Sequence, residues 1–129
     1  MDSSALLAVI LDEPDGDRLL AAMAAAPVRK ISAANWFETA MRVDNHENPV
    51  AAQRFEALIA HLGIEVVPVS VGMALAARAA NRRFGRGSGS KAKLNFGDCF
   101  AYALAHVADE PLLFKGNDFP WTDLMPAAY

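Results

Sequence analysis

Short β-branched runs alternate along this chain with stretches of helical periodicity, and that alternation constrains the fold more than any other feature. It implies a parallel sheet with helices on both faces. Ser4–Leu11 is a short apolar stretch closed by the turn-forming Glu13-Pro14-Asp15-Gly16. Across Asp17–Ala26, Leu19, Leu20 and Met23 recur at helical spacing, and Pro27 stops that helix. Val28–Ile31 predicts a strand, and Ser32 a cap for the helix carrying Trp36, Phe37, Ala40, Met41 and Val43. Pro49 suits the first turn of the next helix, which runs to His61 with Phe55, Leu58, Ile59 and Leu62 as its buried stripe and Gly63 as its stop. Ile64–Val69 predicts a second strand, and Ser70 caps an Ala-rich helix through Phe84. Asp98–Val107 predicts a helix and Leu112–Phe114 a short buried strand. Gly85–Ser90 is a loop that lacks the Gly-Lys-Ser/Thr ending of a phosphate-binding loop.

The 129 residues suit one domain, 1–129, with a real core. An apolar share of 53% excludes a disordered chain, and no apolar run is long enough to cross a bilayer. No basic stretch precedes an apolar one at the N-terminus, so no signal peptide is expected. The single cysteine, Cys99, excludes an internal disulfide and a thiolate zinc cage, and a reducing cytoplasmic setting fits best. Cys99 lies within an apolar helix and is expected to be a buried thiol. His46, His61 and His106 show no ligand spacing, which argues against a zinc site or a Ser-His-Asp hydrolase.

Four acids fall where regular elements begin, turn or end: Asp2, Glu38, Asp98 and Asp118. Singly, each has a plain reading as a solvated terminus, an exposed helix residue, a dipole-favoured acid or a turn former. Together they occupy the addresses where parallel sheets bind ligands, outside the carboxyl ends of the strands. Gathered there, they would make an oxygen-rich site of the kind Mg²⁺ or Mn²⁺ prefers. Crowded carboxylates repel one another. A divalent ion would relieve that repulsion and lower the pKa of a bound water, and one ion or two would serve.

Only Met1 precedes Asp2, so the first strand of the sheet is expected to be truncated in this chain. The net charge of −3 hides an uneven distribution. Arg78, Arg82, Arg83, Arg86, Lys91 and Lys93 share one window without any acid, a pattern that attracts phosphate or simply forms a solvated helix end. Arg82, Arg83, Arg86 and Lys93 are the candidates for holding a phosphate backbone, with affinity that falls as salt rises. Trp36 and Trp121 are candidate stacking surfaces, although Trp36 at helical spacing is more readily core.

Four motifs in order carry a resemblance that runs from end to end: Asp2-Ser3-Ser4-Ala5-Leu6; Ser32-Ala33-Ala34 leading to Glu38; Leu94-Asn95-Phe96-Gly97-Asp98-Cys99; and Phe114-Lys115-Gly116-Asn117-Asp118-Phe119. Together they resemble the PIN-domain ribonucleases, and more closely the VapC toxins of type II toxin–antitoxin modules. The resemblance implies a three-layer α/β/α fold and an acidic quartet that cleaves RNA with Mg²⁺ or Mn²⁺. Asp2, Glu38 and Asp98 match its first three acids. Asp118 matches the fourth, with Asn117 beside it as an alternative neutral ligand, and Asp2, Asp98 and Asp118 are the expected metal ligands. Ser4 matches a hydroxyl that steadies the carboxylates. The resemblance also implies a cognate VapB-like antitoxin, docking an apolar helix between Ser4–Leu11 and Ala33–Val43, and a homodimer. The rival readings are a catalytically impaired binding module of the same fold and a structure-specific or DNA-directed nuclease.

Overall fold

The computed structural model describes residues 1–129, and helix caps account for much of its layout. Asp2 is extended, and its carboxylate accepts the Ser4 N–H at the start of α1 (Ser3–Ile10). Gly16 opens α2 (Gly16–Ala25) and packs so closely on α1 that a Cβ there would lie 2.7 Å from the Ala8 carbonyl. β1 (Lys30–Ser32) runs straight into α3 (Ala33–Asp44), whose cap is the Ser32 hydroxyl accepting the Asn35 N–H. α4 (Ala51–Leu62) ends on Gly63, left-handed at φ 58°, a conformation glycine adopts without steric cost. β2 (Glu65–Val67) follows, then α5 (Val71–Phe84), capped by Ser70. α6 (Phe96–Ala108) starts with a reciprocal capping box between Asn95 and Asp98.

The expected parallel pairing is present, in shorter form. β1 and β2 pair in parallel with Ile31 opposite Val66, and they are the only two strands. The expected Val28–Ile31 strand is shifted to Lys30–Ser32, and Ile64–Val69 is trimmed to Glu65–Val67. Leu112–Phe114 forms no strand, and only Leu112 makes a single bridge, to Pro126. Backbone bonds nevertheless continue across the layer. The Met1 ammonium donates to the Lys30 carbonyl (2.7 Å), and the Asp2 N–H donates to the Leu113 carbonyl (2.9 Å). The two residues ahead of α1 thus lie between β1 and the 112–113 segment. Pro49 sits just before α4 instead of in its first turn, with Val50 as the N-cap.

Two apolar clusters hold the layers together. One joins α5 and α6 through small residues such as Ala77, Ala80, Ala101 and Ala105 and includes Leu112, Phe114 and Phe119. The other joins α1 to α4 through Leu6, Leu19, Ile31 and Phe55. On α3 the buried residues are Asn35, Thr39 and Val43, whereas Phe37 and Met41 are 58% and 46% exposed. A helix that buries polar groups must satisfy them inside the protein, and Asn35 does so at the acidic site. No helix is long and apolar enough to cross a membrane.

Candidate active site

Asp2, Glu38 and Asp98 come from the starts of α1 and α6 and from α3, and they line one cavity of about 780 Å³. Each is fixed differently. Asp2 is buried and locked by its cap bond. Glu38 accepts the Ser3 hydroxyl at 2.7 Å, and its carboxylate lies against Gly97, where a Cβ would overlap it. One Asp98 oxygen accepts the Asn95 N–H at 2.7 Å, and the other makes no hydrogen bond.

Asp118 and Asn117 are exposed and do not line the cavity. Asp118 is nevertheless held nearby. Phe119 beside it is buried against the Phe114 ring at 4.9 Å, and the Ser4 hydroxyl accepts the Lys115 N–H at 3.0 Å. The hydroxyl expected to steady the carboxylates therefore ties α1 to the segment that carries Asp118. It is Ser3 that contacts Glu38.

Asn35 is wholly buried at the centre of this arrangement. Its amide donates to the Gly97 carbonyl at 3.0 Å and lies within 3.4 Å of Asp2 and 3.3 Å of the Ser3 hydroxyl, while its oxygen accepts from the Ser32 hydroxyl. One side chain thus spans α1, β1 and α6. Its removal orphans buried groups at about 1–3 kcal/mol each. We expect Asn35→Ala to lower the unfolding free energy by that order, read from denaturation curves as a lower urea midpoint at unchanged slope.

The site has an unbalanced charge. No ion pair of the protein includes Asp2, Glu38, Asp98 or Asp118. The lysine at the cavity wall, Lys115, pairs with Glu13. Burial pushes the Asp98 carboxyl up to about 6, against the pull of the Asn95 N–H, and the charges of Asp2, Asp118 and Glu38 add to the rise. Three other acids therefore bear on Asp98, and the uncompensated oxygen donors fit a hard divalent cation. No three His, Cys, Asp or Glu groups are close enough to share one ion directly. Binding through one or two carboxylates with waters filling the other positions is the mode Mg²⁺ favours.

This electrostatics carries a pH signature. The folded chain keeps the Asp98 proton to about pH 6, whereas the unfolded chain releases it near 3.8. The native state thus holds more protons in that interval, and its stability falls as pH rises through it. In chelator, wild type should lose melting temperature relative to Asp98→Asn over that interval. Added Mg²⁺ at neutral pH should restore wild type and leave the variant unmoved.

The other candidates separate. Arg82, Arg86 and Lys93 are exposed, but Arg83 is committed to Asp123 at 2.9 Å and lies over the Phe84 ring. Trp36 packs on Phe55 as core, while Trp121 is half exposed beneath the Lys91 ammonium. Cys99 is buried with its thiol pushed up by that burial, which leaves it inert.

An acidic cleft lined from α1, α3 and α6 beside a short parallel sheet defines an α/β domain with its carboxylates gathered at one site. The PIN domain family profile matches residues 1–123. Ribonuclease VapC28 of Mycobacterium tuberculosis is 45% identical over 127 residues, covering 98% of this chain and 96% of that protein. Ribonuclease VapC of Mycolicibacterium smegmatis is 42% identical over 124 residues, covering 96% and 95%. Ribonuclease VapC30 of M. tuberculosis is 40% identical over 128 residues, covering 99% and 97%. The chain belongs to the PIN-domain family and, within it, to the VapC ribonucleases.

Proposed function

We propose that this protein is a metal-dependent endoribonuclease toxin that hydrolyses RNA phosphodiester bonds at Asp2, Glu38, Asp98 and Asp118. The observation that carries this reading is the cavity shared by three carboxylates with no cation paired to any of them. Asp2, Asp98 and Asp118 would hold Mg²⁺ or Mn²⁺, one or two of them directly and the rest through bound water, and the ion would supply charge neutralisation at the phosphate and a more acidic water. Glu38, held by Ser3, is positioned to take a proton from the attacking water. Incubating purified protein with RNA and with DNA, in Mg²⁺, Mn²⁺ or chelator, tests the proposal. Cleavage of RNA that stops in chelator supports it, whereas no cleavage points to a binding module and preferential DNA cleavage to the rival nuclease.

The cavity continues between α1 and α3, where Leu7, Leu11 and Met41 line it beside the acids. That combination suits an antitoxin whose apolar helix fills the groove and whose Arg pairs bidentately with the carboxylates, displacing the metal. The protein would act in the cytoplasm as a homodimer. Exposed Val71 and Leu75, one helical turn apart on α5, supply an apolar surface for self-association. Expressing the chain alone should arrest growth, and co-expressing the small reading frame adjacent to its gene should relieve the arrest. Unaffected growth on expression of the wild-type chain would remove the toxin assignment.

A further inference from the structure

A second cavity of about 490 Å³ lies next to the acidic one, and Asn95 lines both. Its wall combines Phe96 and Phe100 with Arg78 and Arg86. Phe96 opens α6 two residues before Asp98 and is 78% exposed, which leaves most of its ring open to a stacking partner. Phe100 supports it edge-on at 5.0 Å. Neither Arg78 nor Arg86 is in an ion pair. Arg86 is also held in place: its N–H donates to the Leu94 carbonyl, and the Leu94 N–H donates to the Phe84 carbonyl, closing the loop that carries it. The chain contains no Asp or Glu between Glu65 and Asp98.

We propose that this second cavity is a nucleotide subsite for single-stranded RNA, in which a base stacks on Phe96 and its phosphate is held by Arg86 and Arg78. The proposal rests on the ribonuclease reading and extends it to substrate placement. An aromatic face accepts any base, while the two guanidiniums complement the backbone charge that the acids next door would repel. The Asn81 amide and the Asn95 NH₂ group, whose own oxygen is taken by the Asp98 N–H, stand at the wall within reach of base edges. A nucleotide seated here leaves its neighbouring phosphate at Asn95, the residue common to both cavities. The alternative occupant of such a surface is a protein partner, and charge complementarity favours RNA.

The test uses full-length protein in chelator with a single-stranded oligoribonucleotide carrying 2-aminopurine, read by fluorescence quenching and by affinity. Wild type should quench on binding. Phe96→Leu should lose the quench and roughly 5- to 150-fold in affinity, the range expected for one stacked base, whereas Phe96→Trp should retain both. Arg86→Ala should weaken binding to all sequences alike and reduce the salt slope by about one. Phe96 is exposed, so both ring variants should melt like wild type. RNA affinity unchanged in Phe96→Leu, in a wild type that binds and cleaves RNA, would overturn the subsite alone. A shift in oligomeric state in the same variant would then assign the surface to protein contact. If wild type binds no RNA yet cleaves it with Mg²⁺ or Mn²⁺, the subsite alone falls; if it neither binds nor cleaves, the ribonuclease reading falls with it.

Discussion

Asp98→Asn is expected to remove RNA cleavage by more than about 100-fold, beyond the roughly 10–100-fold typical of a residue that merely orients a metal ligand. Its fold should be unharmed or firmer. The amide oxygen of Asn can accept the Asn95 N–H as the carboxylate does, so the capping box at the start of α6 survives. What disappears is a buried charge that three other acids oppose. A variant that melts at or above the wild-type temperature at neutral pH, yet is inactive, marks a residue retained for function at the expense of stability. Activity within a few-fold of wild type would remove Asp98 from the mechanism.

Gly97→Ala should produce a comparable loss without touching any acid. A Cβ on residue 97 falls onto the Glu38 carboxylate, the far end of a flexible side chain, so the carboxylate swings away while the backbone stays. Replacing a helical Gly by Ala also contributes about 1 kcal/mol in favour of the helix, which offsets the local crowding. A displacement of about 1 Å at a reacting group can cost 10²-fold in rate. The expected result is therefore a well-folded protein with activity down by about two orders of magnitude. A double-mutant cycle isolates the cause, because Gly97→Ala should cost nothing further once Glu38→Ala has removed the overlapping group. A full additional loss in that background would place the effect elsewhere.

Local chemistry made much of this readable beforehand. Ser32, Ser70 and Gly63 act as the caps and stop that their positions predict, because a cap depends on neighbours within three residues. The alternation of elements and the three carboxylates of the cavity were legible for the same reason. Asn35 and Ser3 were not, since their partners lie 32 to 62 positions away and a polar residue within an apolar helix has no local signature. Asn95 was missed despite a signal, the Asn and Asp three residues apart that form the capping box. Arg83 looked free because Asp123, its partner, lies far along the chain. The 112–114 segment is apolar enough for a strand but bridges at Leu112 alone, so its residues serve the core and the site more than the sheet.

The order in which the acids occur along the chain also sets a clock. Asp2 and Glu38 leave the ribosome early, but Asp98 and the segment tied to Ser4 through Lys115 belong to the last third of the protein. At roughly 5–20 residues per second, the cleft can close only seconds after Glu38 is made. A nascent chain therefore has no assembled cleft until Asp98 and the Lys115 segment have emerged. A chain that stops before Asp98 lacks one carboxylate of the cleft and the segment tied to Ser4, so the proposed nuclease cannot assemble from it.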